Sequence, residues 1–140
     1  MNVYIEYSKY EKRYNQAMFN YNDLLQRKED LLAMAQPHSQ KFDQERVSGG
    51  NRPNLFDEYL IKKEKENLDE LLKESKSILE DRKMLLDMKR EELKHSKSPY
   101  DRIYWYRYIE KYKVRRVAMA VGYSEAQVYR ILNKIEERTR

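Results

Sequence analysis

Residues Val117–Leu132 read VAMAVGYSEAQVYRIL, and each step of that string has a structural meaning. Ala118 is small enough to let two helices cross closely, and Val121 closes the first of them against a core. Gly122 falls where the chain must turn sharply, and glycine alone takes a positive φ without steric cost. Tyr123 tucks under the turn. Ser124 is a natural N-cap, because its hydroxyl can accept from the free first-turn amides of a following helix. Val128, Ile131, Leu132 and Ile135 then form a buried stripe at helical spacing. The string predicts a helix, a tight turn and a second helix.

Outward from this string, Val114–Ala120 forms the first of the two helices and Glu125 to about Arg138 the second. A preceding helix over about Tyr100–Tyr112 buries Ile103, Tyr106 or Trp105, and Ile109. Pro99, preceded by small polar residues in His95-Ser96-Lys97-Ser98, suits a helix start. Residues 99–140 therefore read as a three-helix domain. The residues left outward on its last helix are Glu125, Ala126, Gln127, Arg130, Asn133 and Lys134, with Tyr129 at the margin.

Charge singles out the same segment. The chain of 140 residues carries a formal +5. Residues 99–140 hold 10 Lys/Arg against 5 Asp/Glu, whereas residues 1–55 hold 8 against 7 and residues 56–98 hold 11 against 12. A basic surplus confined to one end is the electrostatic footprint of a nucleic-acid partner. In a helix-turn-helix the N-terminal part of the second helix enters the major groove of double-stranded DNA. There Gln127 can pair bidentately with adenine, Arg130 with guanine, and Ala126 can touch a thymine methyl. Arg115 and Arg116, with Lys111 and Lys113 just before them, are placed for phosphates and supply affinity with little sequence information.

The first 98 residues read differently. Only three glycines and three prolines interrupt the whole chain, so long helices are favoured over sheets and turns. From Tyr4 to Ala35, Tyr7, Tyr14 and Tyr21 repeat every seven residues, as do Tyr10, Ala17, Leu24 and Leu31, and Met18, Leu25 and Leu32. Pro37 ends that helix. Residues 36–55 are polar, hold two glycines and two prolines, and read as a loop, with Asn54 or Asp57 capping the next helix. A second helix runs from about Leu55 to Lys94. Leu72, Leu79, Leu86 and Leu93 repeat every seven, with Leu71, Ile78 and Leu85 beside them and Leu68 and Met88 widening the stripe. The fold class is all-α: a long antiparallel helical hairpin with coiled-coil packing over residues 1–98, followed by the three-helix domain. Polar Ser75, Arg82 and Lys89 stand where a strict seam wants apolar residues. They disfavour a parallel zipper and leave self-association through the same seam open.

Composition excludes several classes. There is no cysteine, hence no disulfide framework and no thiolate metal site. His38 and His95 are isolated among polar neighbours. No glycine-rich phosphate loop, Ser-His-Asp or Cys-His set appears, so no enzyme, catalytic residue, metal or cofactor is expected. No segment has the apolar length of a membrane span and the N-terminus lacks a signal-peptide pattern, so a cytoplasmic setting is the default. The tyrosines of the Tyr100–Tyr112 helix read as core and its margin, in preference to a base-stacking surface.

The stretch from Arg102 to Arg138 resembles the region-4 helix-turn-helix of sigma-70-type factors. It also resembles the small phage-encoded transcription regulators of the ArpU and RinA kind. The matching positions are Arg107-Tyr108-Ile109, Ala118, the turn Gly122-Tyr123-Ser124, and Val128. The resemblance implies transcription regulation in a phage or mobile element, with RNA polymerase as a further candidate partner. Residues 1–98 lack the aromatic-rich, basic helices that melt a promoter, which points to an accessory regulator over a complete sigma factor. Lys113-Val114 replaces the short polar turn common in such modules and implies a tighter junction. A DNA-recognition subunit of a small terminase-like packaging assembly is the alternative. A homodimer would suit the regulator, a larger ring the packaging subunit.

Overall fold

Five α-helices carry the residues that the computed structural model describes, 2–35 and 55–140, with no strand among them. They are α1 (Val3–Ala35), α2 (Leu55–His95), α3 (Pro99–Tyr104), α4 (Val114–Val121) and α5 (Glu125–Thr139). The expected loop over 36–55, its proline stop, the caps at Asn54 or Asp57 and His38 lie outside the described residues or side chains. The all-α class holds for the rest. Two units divide the chain: Met1–Gln16 with Glu80–Arg140, and Ala17–Leu79.

In the first unit, one core draws on every helix. Ile103, Tyr104, Val114, Val117, Ala118, Val128, Leu132 and Ile135 come from the C-terminal helices, while Tyr4 and Tyr7 come from α1 and Leu93 from α2. Tyr4, Leu93, Ile103, Val117, Val128 and Ile135 have no more than 1% of their surface exposed. The core therefore does not begin at Pro99. A segment of about 42 residues buries too little apolar surface to offset its chain entropy comfortably, and the first turns of α1 and the last of α2 supply what is missing. Tyr104 stacks on Tyr4 at 5.6 Å between ring centroids and meets Tyr7 edge-on at 5.9 Å. Burial pushes the Tyr7 phenol up to about 12, with Glu11 adding to the effect, and raises that of Tyr104 as well.

The first turn of α1 is satisfied from a distance in sequence. Asp101 is fully buried, and its carboxylate accepts from the amides of Val3 at 3.1 Å and Tyr4 at 2.9 Å, and from the Ser96 hydroxyl at 2.5 Å. Ser98 donates to the side-chain oxygen of Asn2 at 2.8 Å. A carboxylate at a helix N-terminus meets both the free amides and the positive end of the helix dipole.

Along the same unit, Lys89 meets Glu6 at 2.6 Å and Arg82 donates to the Arg13 carbonyl at 2.9 Å. Position rises on α1 as it falls on α2. The bond from Lys89 holds the Glu6 carboxyl below its ordinary range. Ser75, Arg82 and Lys89 are half-buried, so the polar interruptions do occupy the seam. Arg82 and Lys89 lay their aliphatic stems along it and carry their charge to an acceptor at its edge.

The second unit buries Ala17, Leu68 and Leu72, with Tyr21, Leu24 and Leu31 half-covered, and Lys28 pairs with Asp69 at 2.6 Å. Of the two leucine rows read on α2, only that of Leu72, Leu79, Leu86 and Leu93 is covered. Leu71, Ile78 and Leu85 are 46%, 47% and 45% exposed, and Met88 is 57% exposed. A seam formed with one neighbouring helix covers a stripe about two positions wide, so the row beside it stays in solvent.

Candidate nucleic-acid interface

The site is built on α4, α5 and the turn that joins them. Val114, Val117 and Ala118 point inward from α4, which leaves Arg115, Arg116 and Met119 exposed. Gly122 ends the helix with φ +73°, and the amides of Gly122 and Tyr123 both reach the Ala118 carbonyl, at 2.9 and 3.1 Å. That left-handed cap turns the chain within three residues.

Ser124 then starts α5 with a reciprocal capping box. The Ser124 hydroxyl accepts from the Gln127 amide at 3.2 Å, while the Gln127 side-chain oxygen accepts from the Ser124 amide at 3.1 Å. Val128, Leu132 and Ile135 are buried beneath the helix, and Ile131 is half-buried against the same core. Glu125, Ala126, Gln127, Tyr129, Arg130, Asn133 and Lys134 are all exposed. Tyr129, read as marginal, is 55% exposed and belongs to the outer face. At its far end α5 is tied to α1: Arg138 donates to the Tyr4 hydroxyl at 3.3 Å and Lys12 to the Thr139 carbonyl. Both ends of the outward-facing helix are thereby fixed.

Beside α4 lies a basic concavity of about 480 Å³, lined by Glu110, Lys111, Tyr112, Lys113, Arg115, Arg116 and Met119. Its geometry follows from an irregularity in the helix before it. After Tyr104 the chain widens into a π-turn over Trp105–Ile109, with the Glu110 amide bonding back to the Trp105 carbonyl at 3.0 Å. The Tyr112 amide reaches the Tyr106 carbonyl at 2.9 Å, and Arg107 holds the Tyr112 carbonyl at 2.9 Å. Lys111 is left-handed at φ +59°, a conformation costing a non-glycine residue about 1–2 kcal/mol. The guanidinium of Arg116 lies 3.9 Å over the Tyr112 ring, which itself stacks on Tyr106 at 5.5 Å.

The burial of this segment differs from the helical reading of residues 100–112. Ile103 is buried as expected, but Asp101 and Tyr104 share the covered side, while Trp105, Tyr106 and Ile109 are only half-covered. Asp101 and Tyr104 are covered by the start of α1, through the Val3 and Tyr4 amides and the Tyr4 ring, whereas the added residue of the π-turn rotates only the side chains after Tyr104 around the axis. The tyrosines of this segment are engaged with one another and with arginines, as in the Arg102 to Tyr106 hydrogen bond of 2.8 Å. The left-handed Lys111 carried no sequence signal, since neither glycine nor asparagine marks it.

Arg115, Arg116, Ser124, Glu125, Ala126, Gln127, Tyr129, Arg130 and Lys134 thus lie on α4, the turn and α5 within one unit. Among the described residues no group of His, Asp and Glu is arranged to hold a metal ion, and no helix is long and apolar enough to cross a membrane. Compared with protein-family models, curated proteins and solved structures, the chain finds no match.

Proposed function

We propose that the protein is a sequence-specific DNA-binding transcription regulator and that α4, its glycine turn and α5 act as a helix-turn-helix. One observation carries the reading. Behind a left-handed glycine cap and a serine capping box, α5 buries Val128, Leu132 and Ile135 and leaves Ala126, Gln127, Arg130 and Lys134 in solvent, in the same unit as the basic concavity of α4. Side chains near the N-terminus of such a helix reach base edges in the major groove, and the neighbouring cations meet phosphates. Residues 1–98 form the antiparallel hairpin in this reading and lend Tyr4, Tyr7 and Leu93 to hold the reading helix. A homodimer would place two such helices in half-sites about 34 Å apart or a multiple of that.

The test is a pair of gel-shift titrations at fixed salt on a selected site and on random duplex. Arg130→Ala weakens binding to the selected site far more than to random DNA, whereas Arg115→Ala weakens both alike. Equal losses for the two substitutions would remove the assignment.

A further inference from the structure

The capping box changes what Gln127 can read. Its side-chain oxygen accepts from two donors at once, the Ser124 amide at 3.1 Å and the Ser124 hydroxyl at 3.2 Å. A carboxamide oxygen has two lone pairs, so its acceptor capacity is used. The orientation of the amide is fixed by the same contact: a backbone N–H can only donate, so the oxygen and not the nitrogen must face Ser124. No hydrogen bond engages Nε2 among the described residues, and Gln127 is exposed at the third position of α5. What the side chain offers outward is a pair of N–H donors.

Bidentate pairing with adenine needs a donor to N7 and an acceptor for the N6 amino group. The box withholds that acceptor. Opening it would leave the Ser124 amide without the acceptor that closes the reciprocal box, with only the Ser124 hydroxyl still capping the Gln127 amide. Guanine presents two acceptors side by side, O6 and N7, and no donor in the major groove. Cytosine presents its N4 amino donor, which would face the Nε2 hydrogens.

We infer that Gln127 is a specificity-determining residue that reads guanine as a donor only, because the capping box of α5 holds its carbonyl oxygen. The inference rests on the DNA-binding reading above and replaces the adenine pairing expected from the residue type alone. Ser124 acts in it as a positioning residue, fixing which end of the Gln127 amide faces the DNA.

Selection of binding sites from a randomised duplex pool, with the full chain and with Gln127→Glu, tests it. Glutamate at this helix position keeps an acceptor for the Ser124 amide and so preserves the cap, but it has no donors. The unchanged protein should enrich guanine at one position, about tenfold or more over the other bases, within the range of a good base contact. Gln127→Glu should lose that guanine and turn to cytosine, whose N4 amino group a carboxylate accepts, with the other positions unchanged and an unaltered melting temperature. Adenine at that position, or the same sequence selected by both proteins, overturns the inference and leaves DNA binding standing. A pool from which the unchanged protein enriches nothing overturns both.

Discussion

Asp101 accepts from the amide of Tyr4 at 2.9 Å, across 97 positions of sequence. The contact joins the start of α1 to the start of α3, and Tyr4 in turn accepts from Arg138 near the end of α5. One residue of α1 therefore touches both ends of the C-terminal segment. Asp101→Ala leaves the Val3 and Tyr4 amides and the Ser96 hydroxyl without their shared acceptor. The expected loss is about 3 kcal/mol, given what buried donors cost when their charged partner is removed. Asp101→Asn keeps one acceptor oxygen and should lose less. Urea midpoints read both, and a midpoint unchanged in the alanine variant would refute the role given to this carboxylate.

The two leucine rows of α2 should respond unequally. Leu93→Ala removes a side chain with 1% of its surface exposed and should cost about 3 kcal/mol. Leu85→Ala, at a position 45% exposed, should cost under about 1 kcal/mol. By the same reasoning a fragment of residues 99–140, deprived of Tyr4, Tyr7 and Leu93, should show little cooperative melting by circular dichroism. A sharp transition in that fragment would mean that its core is sufficient alone.

Gly122→Ala meets no atom within 4 Å of the added carbon, so only the backbone opposes it. At φ +73° the expected loss is about 1–2 kcal/mol, and Gly122→Asn should lose less because asparagine tolerates that region. Thermal melting of the pair checks the order. An alanine variant as stable as the parent would show that the turn relaxes to a negative φ.

Alkaline pH should destabilise the first unit. Burial raises Tyr7 from 10.0 to about 12 and raises Tyr104 too. A folded-state value above the unfolded one gives a contribution fully present below about pH 10 and lost as pH rises through the folded-state value. The melting temperature should thus fall between pH 10 and about 12, and less steeply in a Tyr7→Phe, Tyr104→Phe variant. Parallel curves for the two proteins would assign the fall to other groups.

Phosphate contacts should appear in the salt dependence of DNA binding. Each cation of the α4 concavity that neutralises a phosphate adds about 0.9 to the slope of log K against log salt. Lys113→Ala and Arg116→Ala should each lower that slope by about this amount without altering the selected sequence. A slope unchanged in both variants would place the DNA backbone elsewhere.

Local chemistry is what the sequence by itself determined. The glycine turn, the serine cap, the buried stripe of Val128, Leu132 and Ile135, and the seven-residue rows all arise from φ preference, capping and helical period, which act over a few residues. Tertiary structure decided which leucine row of α2 is covered, that Tyr104 and Asp101 face inward against the start of α1, and that Tyr4 and Leu93 complete the C-terminal core. Those outcomes depend on a partner surface many tens of residues away, and no local periodicity encodes which of two adjacent apolar rows will meet it. Gln127 lies on both sides of this division. Its position on the outer face of α5 follows from helical spacing, but the atom it presents was settled by the geometry of its bond to Ser124.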